Sequence, residues 1–92
     1  MPLLSDDDVL VWLEGRDWQR EGQAIVRDWR FADFAGAIAF VERVAEVAED
    51  AAHHPDILVH GWNKVRLTLS THSEGGITGA DLALAERLDA AG

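Results

Sequence analysis

A chain of 92 residues without a single cysteine has to hold itself together by packing alone. No disulfide, iron–sulfur cluster or thiolate zinc site can staple it, and no cysteine nucleophile can serve it. That length is near the lower end of what one hydrophobic core stabilises, so association with further copies is a reasonable expectation. Almost half of the residues (48%) are apolar, with four Trp and three Phe, which is enough for one compact core over residues 1–92.

The formal net charge of −9 works against any polyanion as a partner, because a like-charged surface repels phosphate backbones and anionic membranes. The few basic residues are scattered and form no local patch. The opening Met1-Pro2-Leu3-Leu4-Ser5-Asp6-Asp7-Asp8 lacks a basic segment followed by an apolar one, and no apolar run approaches membrane-spanning length. A cytoplasmic protein that binds neither nucleic acid nor membrane is expected.

Periodicity divides the chain into seven elements. A short helix is expected over about Asp6–Glu14, with Ser5 as cap, Asp8 closing a capping box, and Leu4 and Val9 at staple positions. Two strands follow, roughly Trp18–Glu21 and Ala24–Phe31, joined by a hairpin turn at Glu21-Gly22-Gln23. The spacing of Phe34, Ala37, Ile38, Val41, Val44, Ala45 and Ala48 predicts a long helix over Asp33–Ala51 with those residues facing the core. His53-His54-Pro55 stops it, since a proline restricts the residue before it to extended geometry. A strand near Ile57–Val59 leads through Gly61-Trp62-Asn63 into a second, where Val65, Leu67 and Leu69 alternate with Arg66, Thr68 and Ser70. Trp62 is read as a core residue and His60 as a surface one. The last helix starts at Thr78, with Asp81 in the capping-box position and Ile77 facing Leu82. The order α-β-β-α-β-β-α implies an α+β fold: a two-layer sandwich of three helices on a four-stranded antiparallel sheet.

Three histidines fall at element ends, where side chains are held by rigid structure yet open to solvent. His53 and His54 leave the long helix, and His72 leaves the last strand; if the sheet brings those ends together, the three imidazoles share one mouth. Glu49 lies one helical turn before His53 and is placed to orient that ring. Imidazole titrates near neutrality, so a histidine pair can give one proton while taking another, with no cofactor.

The run Glu49-x-x-x-His53-His54-Pro55, then Trp62, His72 and Asp81 at intervals of six, nine and eight residues, resembles the signature of the pterin-4a-carbinolamine dehydratase family. Trp62-Asn63-Lys64-Val65, Thr68-Leu69-Ser70-Thr71-His72, Gly76-Ile77-Thr78, Trp18 and Phe31-x-x-Phe34 extend the likeness over nearly the whole chain. The resemblance implies the same three-helix, four-strand fold and dehydration of a 4a-hydroxytetrahydropterin, the small-molecule substrate. His53, His54 and His72 correspond to the family's active-site histidines, Glu49 and Trp18 to its pocket acid and aromatic, and Asp81 matches the signature too. Homodimers or homotetramers are implied, with no cofactor and no metal.

Two other readings compete. Glu49, His53 and His72 also make a His₂-carboxylate metal set on paper, although adjacent histidines rarely bind one ion together. The chain can instead be a non-catalytic protein-interaction module on the same fold, working through an exposed sheet edge. The histidines have bland readings as well, since a cationic imidazole complements a helix C-terminus, and Asp81 is explained by capping alone.

Overall fold

The computed structural model describes residues 2–92. It contains helix α1 (Asp6–Leu13), strands β1 (Gln19–Glu21) and β2 (Ala24–Arg30), helix α2 (Phe34–Ala51), strands β3 (Asp56–His60) and β4 (Lys64–Leu69), a 3₁₀ turn at His72–Glu74 and helix α3 (Gly79–Ala91). The sheet runs β1-β2-β4-β3, antiparallel throughout, so the order α-β-β-α-β-β-α and the α+β class hold. The two hairpins are side by side, with β2 and β4 as the central pair in the register Ile25–Leu69, Arg27–Leu67 and Trp29–Val65. None of the helices is long and apolar enough to cross a membrane, among the described residues.

All three helices lie on one face of this sheet. Ile25, Trp29, Val65, Leu67 and Leu69 point from the strands into a core completed by Val9 from α1, Ala37, Phe40 and Val44 from α2, and Leu84, Ala85 and Leu88 from α3. Aromatic rings form its centre: Phe40 packs on Trp29 and Phe31 at centroid separations of 4.9 and 5.1 Å, and Trp18 meets Trp29 edge-on at 5.8 Å. Such contacts add to the large apolar area each ring removes from water.

The caps follow the sequence closely. The Ser5 hydroxyl accepts from the Asp8 N–H, the forward half of the expected box, and α3 has both halves at Thr78 and Asp81. The α2 stripe differs from expectation. Ala37, Val44 and Ala48 are buried, but Phe40 takes the central place, while Phe34 and Ala45 face solvent. Phe34 is the first residue of the helix, before the stripe reaches the sheet.

Trp62 is also corrected. It is 60% exposed at the tip of the β3–β4 hairpin and, like Gly61 before it, has a positive φ (60°). A tight hairpin turn needs that left-handed geometry, and it turns the indole out of the sheet's core-facing register. Asn63 fixes the turn from inside, donating its side-chain N–H to the Phe31 carbonyl and accepting the Phe31 N–H on its backbone carbonyl.

The face of the sheet away from the helices is polar. Asp28 and Arg66 are register partners there, joined by two hydrogen bonds of 2.8 and 3.1 Å. The bond from Arg66 holds the Asp28 carboxyl below its ordinary value; slight burial opposes this, and the charges of Arg66 and His60 add to it.

The core assignment predicts that Phe40→Ala costs about 3–5 kcal/mol in urea unfolding, whereas Phe34→Ala stays within about 0.5 kcal/mol. The depressed Asp28 carboxyl stabilises the fold above its unfolded-state value, and that contribution disappears as pH falls through the folded-state value. Arg66→Gln should therefore lower stability slightly at neutral pH, less in high salt, and match wild type once the carboxylates are protonated. Urea melts across that pH range measure the difference.

Candidate active site

Helix α2 ends in a way that separates two neighbouring histidines. Ala52 adopts the left-handed conformation (φ 53°, ψ 36°), its N–H bonding the Glu49 carbonyl while the His53 N–H reaches back to the Ala48 carbonyl at 3.2 Å. This paired closure is the Schellman arrangement, made here with an alanine where glycine is usual. Past it the chain changes direction. His53 turns under the helix toward α3, and His54 turns out toward solvent.

His53 is firmly held. Its Nε2 lies 2.5 Å from Oδ1 of Asp81, with the imidazole 18% exposed and the carboxylate fully buried. The other oxygen of Asp81 accepts from the Thr78 N–H at 2.9 Å and from the Thr71 hydroxyl at 2.8 Å. A buried carboxylate would be costly without such partners; here it is tied to a helix N-terminus, a strand exit and an imidazole at once.

His54 is held loosely. Its Nε2 is 2.6 Å from Glu49 Oε2, and both side chains are mostly exposed (64% and 76%). Glu49 thus orients His54 rather than His53, because the expected pairing assumed that the helix continued past Ala52.

His72 enters at the same end of the sheet. Strand β4 leaves the ladder after Leu69, and Thr71 pairs with Gly76 to pinch off a short loop. Gly75 closes its 3₁₀ turn with φ 75°, a conformation that suits glycine. His72 is the first residue of that loop, exposed, and adjacent to the Thr71 that bonds Asp81. Asp56, two residues after His54, is paired with Thr68 in the ladder, which keeps both histidine-bearing segments at one sheet end.

One expected site residue stands elsewhere in the architecture. Trp18 is 2% exposed, in the core, and its indole N–H donates to Asp89 at 2.8 Å. Asp89 lies eight residues after Asp81 on α3, about 12 Å along the axis, so Trp18 packs at the opposite end of that helix from His53. Asp81 was read as a helix cap or a substrate ligand; the cap is present, both of its oxygens are taken by protein partners, and it supports His53 from behind. Thr71 and Thr78 were missed as site residues. Their signal was present, since threonines beside a histidine and at the N-cap of an N3 aspartate can offer a hydroxyl and a backbone N–H to one carboxylate.

The metal alternative finds no geometry to carry it. Glu49 is bonded to His54 and His53 to Asp81, and no three His, Asp or Glu converge as an ion would require, among the described residues.

A small antiparallel sheet backed by three helices thus carries one carboxylate-held imidazole and two exposed ones on the segments that meet one sheet end. The family model for "Pterin 4 alpha carbinolamine dehydratase" matches residues 2–91, and the chain belongs to that family. A Nocardia farcinica relative named for the same family is 50% identical over 88 residues, spanning 95% of this chain and 92% of its own. Among solved structures, a transcriptional coactivator/pterin dehydratase from Brucella melitensis superposes with a TM-score of 0.88 at 34% identity, covering 96% of both chains. A pterin dehydratase-like protein identified as a RuBisCO assembly factor in the alpha-carboxysome superposes at 0.69 with 28% identity, over 84% of this chain and 90% of its own.

The difference in anchoring predicts different costs. Asp81→Ala leaves the Thr71 hydroxyl, the Thr78 N–H and the His53 ring nitrogen without their acceptor and should cost about 2–4 kcal/mol in unfolding. Glu49→Ala breaks only an exposed pair and should stay within about 1 kcal/mol. Chemical denaturation of both variants checks the contrast.

Proposed function

We propose that this protein is a hydro-lyase that dehydrates 4a-hydroxytetrahydropterin to the quinonoid dihydropterin, as part of tetrahydropterin recycling. The observation that carries the reading is the placement of His53, backed by the buried Asp81, at the sheet end where His72 emerges.

The reaction breaks the C4a–O bond and the N5–H bond and forms the C4a=N5 double bond, releasing water. One group takes the N5 proton and another delivers a proton to the departing hydroxyl. His53 and His72 are the acid–base pair in this proposal. His54, tethered by Glu49 at the rim, positions the pterin. The N5 lone pair helps expel the hydroxide, so the residues present suffice chemically without a metal or cofactor.

The protein acts in the cytoplasm as a homodimer or homotetramer in this reading. The exposed Ile57 and Leu58 on edge strand β3 support association, because an apolar open edge invites pairing. The family likeness to a coactivator and an assembly factor supports a second, non-catalytic reading as a protein-interaction module. The presence of all three histidines favours catalysis.

Following the ultraviolet absorbance of freshly generated 4a-hydroxytetrahydropterin, in chelator, tests the proposal. Wild-type protein should accelerate dehydration, and His72→Ala should lower the rate by about a hundredfold or more, the usual scale for a lost acid–base group. No acceleration by folded wild-type protein overturns the enzyme reading and leaves the interaction module.

A further inference from the structure

Behind His53 lies a chain of hydrogen bonds whose direction can be worked out by counting protons. The Ala80 N–H donates to the Thr78 hydroxyl oxygen at 3.3 Å, the Thr78 and Thr71 hydroxyls are 2.8 Å apart, and Thr71 is 2.8 Å from Asp81 Oδ2. The Thr78 N–H meets that same oxygen at 2.9 Å. Two of these donors are backbone amides, which can only donate. Each hydroxyl owns one hydrogen.

Only one assignment uses every hydrogen. The Thr71 hydrogen goes to Asp81, so the hydrogen between the two threonines belongs to Thr78, whose own oxygen receives the Ala80 amide. The opposite polarity needs a proton on Asp81 Oδ2 directed at Thr71, and it leaves the Thr78 hydrogen without an acceptor among the described residues. Thr78 is fully buried, so water cannot take that hydrogen cheaply. The chain therefore runs one way, from backbone amide through Thr78 and Thr71 to a carboxylate that only accepts.

We infer that Thr71 and Thr78 are positioning residues that fix the proton of His53 on Nε2, so that Nδ1 is the ring nitrogen offered to substrate. With Oδ2 already holding two donors, Asp81 presents Oδ1 to the imidazole as an acceptor at 2.5 Å, and the nitrogen opposite it must carry hydrogen. A neutral His53 then has a single tautomer, with its lone pair on Nδ1, ready to take a proton. Substrate atoms approach from the Nδ1 side. The catalytic part of this inference rests on the dehydratase reading; the tautomer part does not.

Two readouts separate these parts. Long-range ¹⁵N–¹H correlation spectra of wild-type protein, with His53→Gln to assign the ring, should show neutral His53 as the Nε2–H form. Thr71→Val should turn that signal into a tautomer mixture and lower kcat about tenfold, less than the hundredfold or more for losing an acid–base group itself, with KM within about twofold. Thr71→Ser should restore both. If the valine variant does not fold, Thr71→Ala removes the same hydroxyl without adding bulk. A folded Thr71 variant that lacks the hydroxyl yet keeps the pure Nε2–H form overturns the inference, as does a wild-type His53 protonated on Nδ1. An inactive wild-type protein with the expected tautomer and its loss in the variant would sink the dehydratase reading alone.

Discussion

The carboxylate of Asp81 is where three separate parts of the chain are joined. It closes the capping box of α3, accepts the hydroxyl at the exit of β4, and holds the imidazole at the exit of α2. Burying a charge that completely is tolerable only because donors surround it and the helix N-terminus favours a negative group. The consequence is that local stability and site geometry share the same atoms. His53 cannot swing away without leaving a buried oxygen short of a partner, and α3 cannot fray at its start without loosening His53. The core supplies the rest of this rigidity, since Leu84, Ala85 and Leu88 seat the same helix on the sheet.

The two consecutive histidines illustrate how one backbone conformation divides roles. A continuing helix would send His53 and His54 out about 100° apart, both near Glu49. The left-handed Ala52 ends the helix, so one ring becomes mostly buried and anchored to a second helix while the other remains on the rim. An L-residue in that region costs roughly 1–2 kcal/mol relative to the right-handed one. Glycine would avoid most of that cost but leave the unfolded chain more entropy to lose. The fold therefore carries a modest local strain at the junction that separates the rings.

Much of this was legible in the residues. The alternation of Val65, Leu67 and Leu69, the turn at Gly22 and the capping pair Thr78 and Asp81 each express a local rule, and each is seen in the structure. The errors come from contacts that local rules do not contain. Glu49 was assigned to His53 because spacing along an ideal helix knows nothing of a left-handed residue written as alanine. Trp62 was placed in the core on its size, whereas the turn geometry of Gly61-Trp62 decides its direction. Trp18 was assigned to the pocket by resemblance, yet its partner Asp89 is 71 residues away and no periodicity links them. Asp81 was read as either a cap or a ligand; one residue has two oxygens, and the structure uses one for the cap and the other for His53.

Fold alone does not separate an enzyme from a protein-binding relative, since structures named for both roles superpose on this chain. The separation has to come from features that only one role needs. The exposed edge of β3, with Ile57 and Leu58, would serve association whether or not catalysis occurs. The buried network behind His53 is different in kind. A capping aspartate needs only its own helix, and a surface histidine needs no carboxylate; neither role calls for Thr71 to bond Asp81 or for a fully buried oxygen to face an imidazole. The network joins α3 to the exits of β4 and α2 and so serves the fold in either role; what it adds is one fixed orientation for His53, which the catalytic reading proposed above needs and an adhesive role does not.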